Sequence, residues 1–288
     1  MSRADDVEKG LMVMYTADMH TIFPTEIAPP VDGRLSANWT VVGYLTAIDA
    51  ILRPEGGQMV QGAEVCYGLL ARSKVDTTRF VVAIRGTEGI VEWIEDAEFV
   101  LIDHPSGAGR VEGGFWDIYA SMLFKVSKDD AGVSAKAGVA ASVGEGATVT
   151  VAGHSLGSAL ATFLAFDLAA LGLLGARVSA CLFASPHPGD DEFASAFDKS
   201  LSGRYVLYDY FLDAVPRVPF GPDYAHLPAI TDLRPSDAQA RIRFALGCNH
   251  HIVCYCSMLD YAQTDAVPKI DADGACVKCI KGPSGVAT

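Results

Sequence analysis

Residues 147–171 read ATVTVAGHSLGSALATFLAFDLAAL. A β-branched run leads into Gly153-His154-Ser155-Leu156-Gly157, and an unbroken helical pattern continues to about Leu171. The central pentapeptide is G-x-S-x-G, a sharp turn that lifts a serine between a strand and a helix. The serine backbone there is strained, and side chains two residues either way would collide with the strand and helix, hence the glycines. The helix that starts beneath the serine brings free amide N–H groups and a positive dipole end to the place where an oxyanion develops. As a bare string the pattern would arise by chance about 0.17 times in a chain of this composition, so the flanking strand and helix decide the reading. The plainer alternative makes Ser155 only the cap of a helix.

The same alternation continues outward. RFVVAI (within 78–84) is continuously apolar, as a strand covered on both faces would be. Further strands are expected at 60–71, EFVLID (98–103), 177–184 and 204–212. Helices are expected at 7–20, 36–52, from Phe115 to a break near Lys128–Gly132, at 190–200 and from near His251. Strands alternating with helices predict an α/β fold with a mostly parallel central sheet and helices on both faces, the α/β-hydrolase arrangement, in one domain spanning 1–288. Residues 1–58 read as a helical N-terminal segment, and the polar, Gly/Pro-rich 264–288 as a loose extension.

The chain has 288 residues, half of them hydrophobic, and a formal charge of −13. An acidic surface repels phosphates, which argues against nucleic acid as partner and makes apolar contact the expected mode of any lipid binding. Neither a signal peptide of the usual design nor a membrane span is readable, so the expected location is cytoplasmic, or outside after export without a cleaved signal. The seven cysteines are odd in number and favour a reducing compartment with free thiols. Cys276-Val-Lys-Cys279, with Cys248, Cys254 and Cys256, would also allow a tail disulfide or, less readily, zinc. Its spacing matches no standard finger, and no metal is expected.

With Ser155 as nucleophile, the acid and then the base must follow it along the chain. Asp213 stands at the end of strand 204–212 in a proline-held loop, well placed to fix an imidazole. Asp209, Asp223 and Asp232 read as solvated charges. His187 precedes the acid, and His226 in DYAHLP reads as a structural histidine. That leaves His250 and His251 at the start of a late helix.

These residues resemble the class 3 lipases, which include fungal triacylglycerol lipases and bacterial and plant relatives. The resemblance runs from about Tyr67 to Leu259 through VVAIRGTEGIVEWIEDAEF (81–99), VEGGF (111–115), TVAGHSLGSALATFLAFDL (150–168), FASPHPGDDEFASAF (183–197), YFLDAVPRVP (210–219) and NHHIVCYCSML (249–259). It implies Ser155 as nucleophile, Asp213 as acid in Asp-x-Val-Pro, and His250 as base, because Ile252, Tyr255 and Leu259 then fall in the bacterial register. The fungal register would select His251 instead. Thr87, after Arg85-Gly86, and the amide of Leu156 are the implied oxyanion donors. Arg85 is expected to anchor that loop through a carboxylate such as Asp96. Glu112, where the family often has histidine, lies away from these groups. GIVEWIED (89–96) resembles the family's lid helix, with Ile90, Val91, Trp93 and Ile94 on one side and Glu92, Glu95 and Asp96 on the other. A permanently packed surface helix is the other reading. The implied function is hydrolysis of lipid esters, triacylglycerols or partial glycerides, without any cofactor. A phospholipase or short-chain esterase on the same scaffold is the alternative, and a catalytically silent binding module is a remote one.

Overall fold

The computed structural model describes residues 2–48, 62–87, 99–172, 177–265 and 279–284. Its strands are β1 (Trp39–Ile48), β2 (Glu64–Ser73), β3 (Arg79–Ile84), β4 (Leu101–Asp103), β5 (Arg110–Glu112), β6 (Leu123–Lys125), β7 (Val133–Ser134), β8 (Thr148–His154), β9 (Arg177–Phe183), β10 (Tyr205–Tyr210), β11 (Ile230–Leu233), β12 (Ala240–Ile242) and β13 (Ile280–Pro283). Nine of them form one sheet in the order β11-β10-β9-β8-β3-β2-β1-β6-β7. From β3 through β8, β9 and β10 to β11 every pairing is parallel. The half running from β3 through β2, β1 and β6 to β7 is antiparallel. The sheet is therefore mixed, with its parallel half where helices separate the strands along the chain.

The stretch expected as a helix at 36–52 is mainly β1, and this corrects the reading of 1–58 as a helical segment. WTVVGYLTAI is rich in aromatic and β-branched residues, which suit a pleated surface better than a helix. Pairing with β2 on one side and β6 on the other then fixes the strand. The expected N-terminal helix is present as Arg3–Ile22, capped by Ser2, whose hydroxyl accepts from the Asp5 amide.

Apolar layers cover both faces of the sheet. On one, Phe115, Phe163, Phe193 and Phe197 from helices Gly113–Ala120, Leu156–Ala170 and Asp191–Leu201 pack against β3, β8 and β9. On the other, the Arg3–Ile22 helix packs beside helix Ile252–Leu259. Each large apolar side chain so buried is worth roughly 1.5–3 kcal/mol. The N-terminal helix also brings a charge into this layer, since Tyr208 donates to buried Asp6 Oδ2 at 2.8 Å and Lys9 Nζ lies 3.7 Å from Asp6 Oδ1. Leu156–Ala170 is buried on nearly all sides, as expected of a helix apolar all round. Among the described residues no helix is long and apolar enough to cross a membrane.

The C-terminal end departs from expectation. Residues 279–284 are not loose: β13 pairs antiparallel with β12, and Cys279 forms a disulfide with Cys248. The reading of free thiols therefore fails for those two residues, although Cys66, Cys181 and Cys256 are free and buried. The pairing brings together sulfurs 31 residues apart, a separation no spacing rule links. Cys276 and the lid stretch 89–96, with Ile90, Val91, Trp93, Ile94 and Asp96, lie outside the described residues.

Gly153 and Gly157 hold β8 and the following helix in backbone contact. A Cβ on Gly153 would strike the Gly157 carbonyl, and one on Gly157 would strike the carbonyls of Ile84 and Arg85. Gly157→Ala is therefore expected to cost about 1–3 kcal/mol in urea unfolding. Gly33→Ala, with nothing within 4 Å of the added carbon, should change stability by less than about 0.5 kcal/mol.

Candidate active site

Ser155 sits at the carboxyl end of β8 with φ 58° and ψ −133°, a backbone that side-chain-bearing residues rarely adopt. The turn is fastened to the neighbouring strand. The Ser155 amide donates to Phe183 O at 3.0 Å, and the Phe183 amide donates to Ser158 Oγ at 3.1 Å. Ser158 Oγ also lies 2.7 Å from Gly153 O and 2.8 Å from Phe183 O, so one hydroxyl ties both ends of the turn to β9. Although Ser155 occupies the cap position of the helix, its side chain makes no capping bond. Its Oγ is buried and has no hydrogen-bond partner among the described residues, which argues against the plain capping role.

Asp213 follows β10, as the sequence suggested, and is held from three directions. His250 Nδ1 donates to Oδ2 at 2.8 Å, the Tyr255 hydroxyl donates to the same oxygen at 2.8 Å, and the Val215 amide donates to Oδ1 at 3.0 Å. Tyr255 in turn accepts from the Tyr210 amide at 2.9 Å, and burial beside Asp213 pushes its phenol far above the ordinary range. With Nδ1 of His250 committed to Asp213, Nε2 is the nitrogen left to act, and it is buried without a partner among the described residues. His251 is turned to other work: it lies between helices Leu246–His250 and Ile252–Leu259, and its Nδ1 accepts from the Val253 amide at 3.4 Å. The structure thus brings His250, not His251, to Asp213.

The serine turn and the histidine meet through His154. Its Nε2–H donates to the His250 carbonyl at 2.6 Å, and the two imidazoles lie 4.6 Å apart. Burial, then the neighbouring His250, drive the His154 pKa well below the ordinary histidine value, so it stays neutral. Asn249 Nδ2 donates to Leu212 O at 3.0 Å and joins the histidine segment to the Asp213 loop. His154, Ser158, Asn249 and the Tyr255 bond were not read as site features from sequence. For Tyr255 the register five residues after His250 was a signal; for the others only the fold brings the partners together.

The Arg85-Gly86-Thr87 segment lies against the serine, since a Cβ on Gly86 would come within 3.0 Å of Ser155 Cβ and His154 O. Thr87 thereby follows directly on a backbone in contact with Ser155, while Leu156 begins the helix beneath it. Arg85 is buried with its guanidinium over Tyr67, and it donates to the carbonyls of Cys66 and Gly86, both at 2.8 Å. Its expected partner Asp96 lies outside the described residues. Glu112 is buried and caps helix Gly113–Ala120, accepting from the Phe115 amide at 2.7 Å.

Asp209 corrects the reading of a solvated charge. It is buried within β10, and burial, with Asp213 and Asp232 adding repulsion, pushes its carboxyl up to about 8. His226 Nδ1 lies 3.8 Å from Asp209 Oδ2 and is itself pushed down to about 4, chiefly by burial and the ring of His187 at 4.1 Å. Neither histidine approaches Asp213 in the manner of His250.

A serine turn at the end of a parallel β8, with an Asp–His pair from later loops, defines the α/β-hydrolase fold. Residues 81–222 match the family model of lipase (class 3). It is 37% identical over 169 residues to phospholipase A1-II 6 of Oryza sativa subsp. japonica, covering 50% of this chain and 41% of that protein. Phospholipase A1-II 3 of the same subspecies is 34% identical over 169 residues, covering 51% and 40%. The chain thus spans about two fifths of the length of these relatives. Among solved structures, M37 lipase superposes with a TM-score of 0.64 at 18% identity, covering 94% of this chain and 98% of that one. Rhizomucor miehei lipase in its propeptide complex gives 0.56 at 18% identity, covering 80% and 68%. At these identities the likeness is one of fold.

The raised Asp209 pKa has a stability consequence of definite sign. Folding favours its protonated form, so the stability it contributes is complete below pH ~4 and is lost as pH rises through about 8. Asp209→Asn, which keeps the shape without the charge, should match the parent melting temperature at pH 4. It should exceed it by roughly 5 °C or more at pH 8–9, read by calorimetry.

Proposed function

We propose that this protein is a serine hydrolase of lipid carboxylic esters that works through an acyl-enzyme on Ser155. The observation that carries the reading is a pair of buried, unpartnered atoms, Ser155 Oγ and His250 Nε2, with the opposite nitrogen of that imidazole bound to Asp213. A nucleophile and a base left unsatisfied in a protein interior cost free energy, and an active site is where such a cost is retained.

In the proposed reaction Ser155 Oγ attacks the ester carbonyl carbon while His250 Nε2 takes its proton. Asp213 holds Nδ1–H and offsets the charge of the imidazolium. The backbone N–H groups of Leu156 and Thr87, with the Thr87 hydroxyl, receive the oxyanion; one such donor is worth about 2.7–4 kcal/mol in the transition state. As the tetrahedral intermediate collapses, the C–O bond to the alcohol breaks and Nε2 returns the proton to the leaving oxygen. Water then repeats the sequence on the acyl-enzyme, releasing the fatty acid and restoring Ser155. These steps use protein groups alone.

Glycerides are the substrates implied by the class 3 pattern. The relatives named phospholipase A1 support a second reading, hydrolysis of an acyl ester in a phospholipid. Assays on p-nitrophenyl esters, glycerides and phospholipids rank these substrates. A fluorophosphonate probe should label the parent and not Ser155→Ala. His250→Ala should abolish turnover while His251→Ala retains it, and Asp213→Asn should lower kcat by about 10⁴-fold. Labelling that persists in Ser155→Ala, or turnover that survives in His250→Ala, would sink the assignment.

A further inference from the structure

The loops that present Asp213 and His250 also carry large apolar side chains in water. Phe211, two residues before Asp213, is 50% exposed. Phe244 and Leu246, shortly before His250, are 76% and 63% exposed. The bond from Asn249 to the Leu212 carbonyl ties the two loops to each other, Phe211 being next to one of its partners and Leu246 three residues from the other. Scattered apolar residues on a surface need no explanation, but three on adjoining loops beside a buried catalytic pair do.

Cations accompany them. The guanidinium groups of Arg217 and Arg234 lie 5.8 and 5.3 Å from the centroid of the Phe211 ring, and Arg243 immediately precedes Phe244. Arg234 lies 3.8 Å from Asp232 in an exposed pair of small worth. No ion pair to a described carboxylate engages Arg217 or Arg243. Segment 211–247 holds four arginines and four aspartates, one of them the buried Asp213, and so carries none of the chain's −13. The acidic excess lies elsewhere, and charges more than a Debye length away, about 8 Å at physiological salt, are largely screened.

From this arrangement we infer that the rim formed by Phe211, Arg217, Arg234, Arg243, Phe244 and Leu246 docks the protein on a phospholipid surface bearing anionic headgroups. Phe244 and Leu246 enter the acyl boundary, and the arginines meet the phosphates around them. The remaining, acidic surface is repelled by such a layer, which orients the molecule with the Ser155 side toward the lipid. The net charge alone points to mainly apolar lipid contact; in this proposal the arginines add an electrostatic part, because segment 211–247 is locally neutral. Each apolar side chain inserted should raise partition about tenfold or more, and each arginine near the anionic surface about fivefold.

The inference rests on the lipid-ester reading for its purpose, but its test does not depend on turnover. Ser155→Ala protein is sedimented with vesicles of phosphatidylcholine alone or mixed with phosphatidylglycerol, at low and high salt. Partition should favour the mixed vesicles and fall with salt. In that background Phe244→Ser with Leu246→Ser should reduce binding to both vesicles by tenfold or more. Arg217→Gln with Arg243→Gln should erase most of the anionic preference, with melting temperatures unchanged in both variants. Equal binding to the two vesicle types, or arginine variants that bind mixed vesicles like the parent, would overturn the docking surface. If docking is observed while the Ser155-intact protein cleaves no ester, the hydrolase reading fails and the surface stands.

Discussion

The left-handed backbone at Ser155 is the constraint on which the site depends. A non-glycine residue held there stores on the order of 1–3 kcal/mol of strain, and it persists only where the surroundings determine it from several sides. Here they do so through the Ser155 amide on Phe183, the Ser158 hydroxyl between β8 and β9, and two glycines that let helix and strand backbones touch. The parallel half of the sheet supplies the rigidity: β8 lies between β3 and β9, with apolar layers on both faces. A serine on an edge strand or a loop would relax out of this conformation and cap its helix instead.

Around that turn the protein distributes charge sparingly. Burial keeps His154 neutral, and Asp209 is held protonated through the neutral range by burial and by the presence of Asp213. Asp213 instead receives three donors on its two oxygens, one of them the His250 imidazole. Two aspartates four residues apart on one strand and its following turn thus meet different surroundings: Asp213 has found donors, while Asp209 Oδ1 is buried with no partner among the described residues. His154 acts on the other side of His250, fixing its main chain while Asp213 fixes its ring.

The segment that bears His250 is short, and its position is secured by outside ties. The disulfide from Cys248 to Cys279, the Asn249 bond to Leu212, and the His154 bond to the His250 carbonyl engage three successive residues. Closing the chain between Cys248 and Cys279 also restricts the unfolded ensemble, a contribution of about 3–4 kcal/mol in the chain-entropy account. The end of the chain, whose composition suggested a loose tail, therefore takes part in holding the proposed base.

The sequence by itself determined the parallel half of the fold, because continuous apolar strands alternating with helices can be buried in few other ways. It also singled out Ser155 and Asp213, since the chemistry of a strained turn and of a strand-end carboxylate needs particular residues at short spacing. It narrowed the base to two adjacent histidines, where local pattern stops: which ring faces Asp213 depends on the break between two helices. Tertiary structure fixed the 36–52 stretch as mainly a strand, because its β-favouring residues find partners in β2, 16–34 residues away, and in β6, about 80 residues away. It decided that Asp209 is buried and protonated, that Cys248 meets Cys279, and that His154 and Tyr255 hold the dyad. Each of these is a contact between distant segments, and its energy comes from burial and pairing that exist only once the chain has folded.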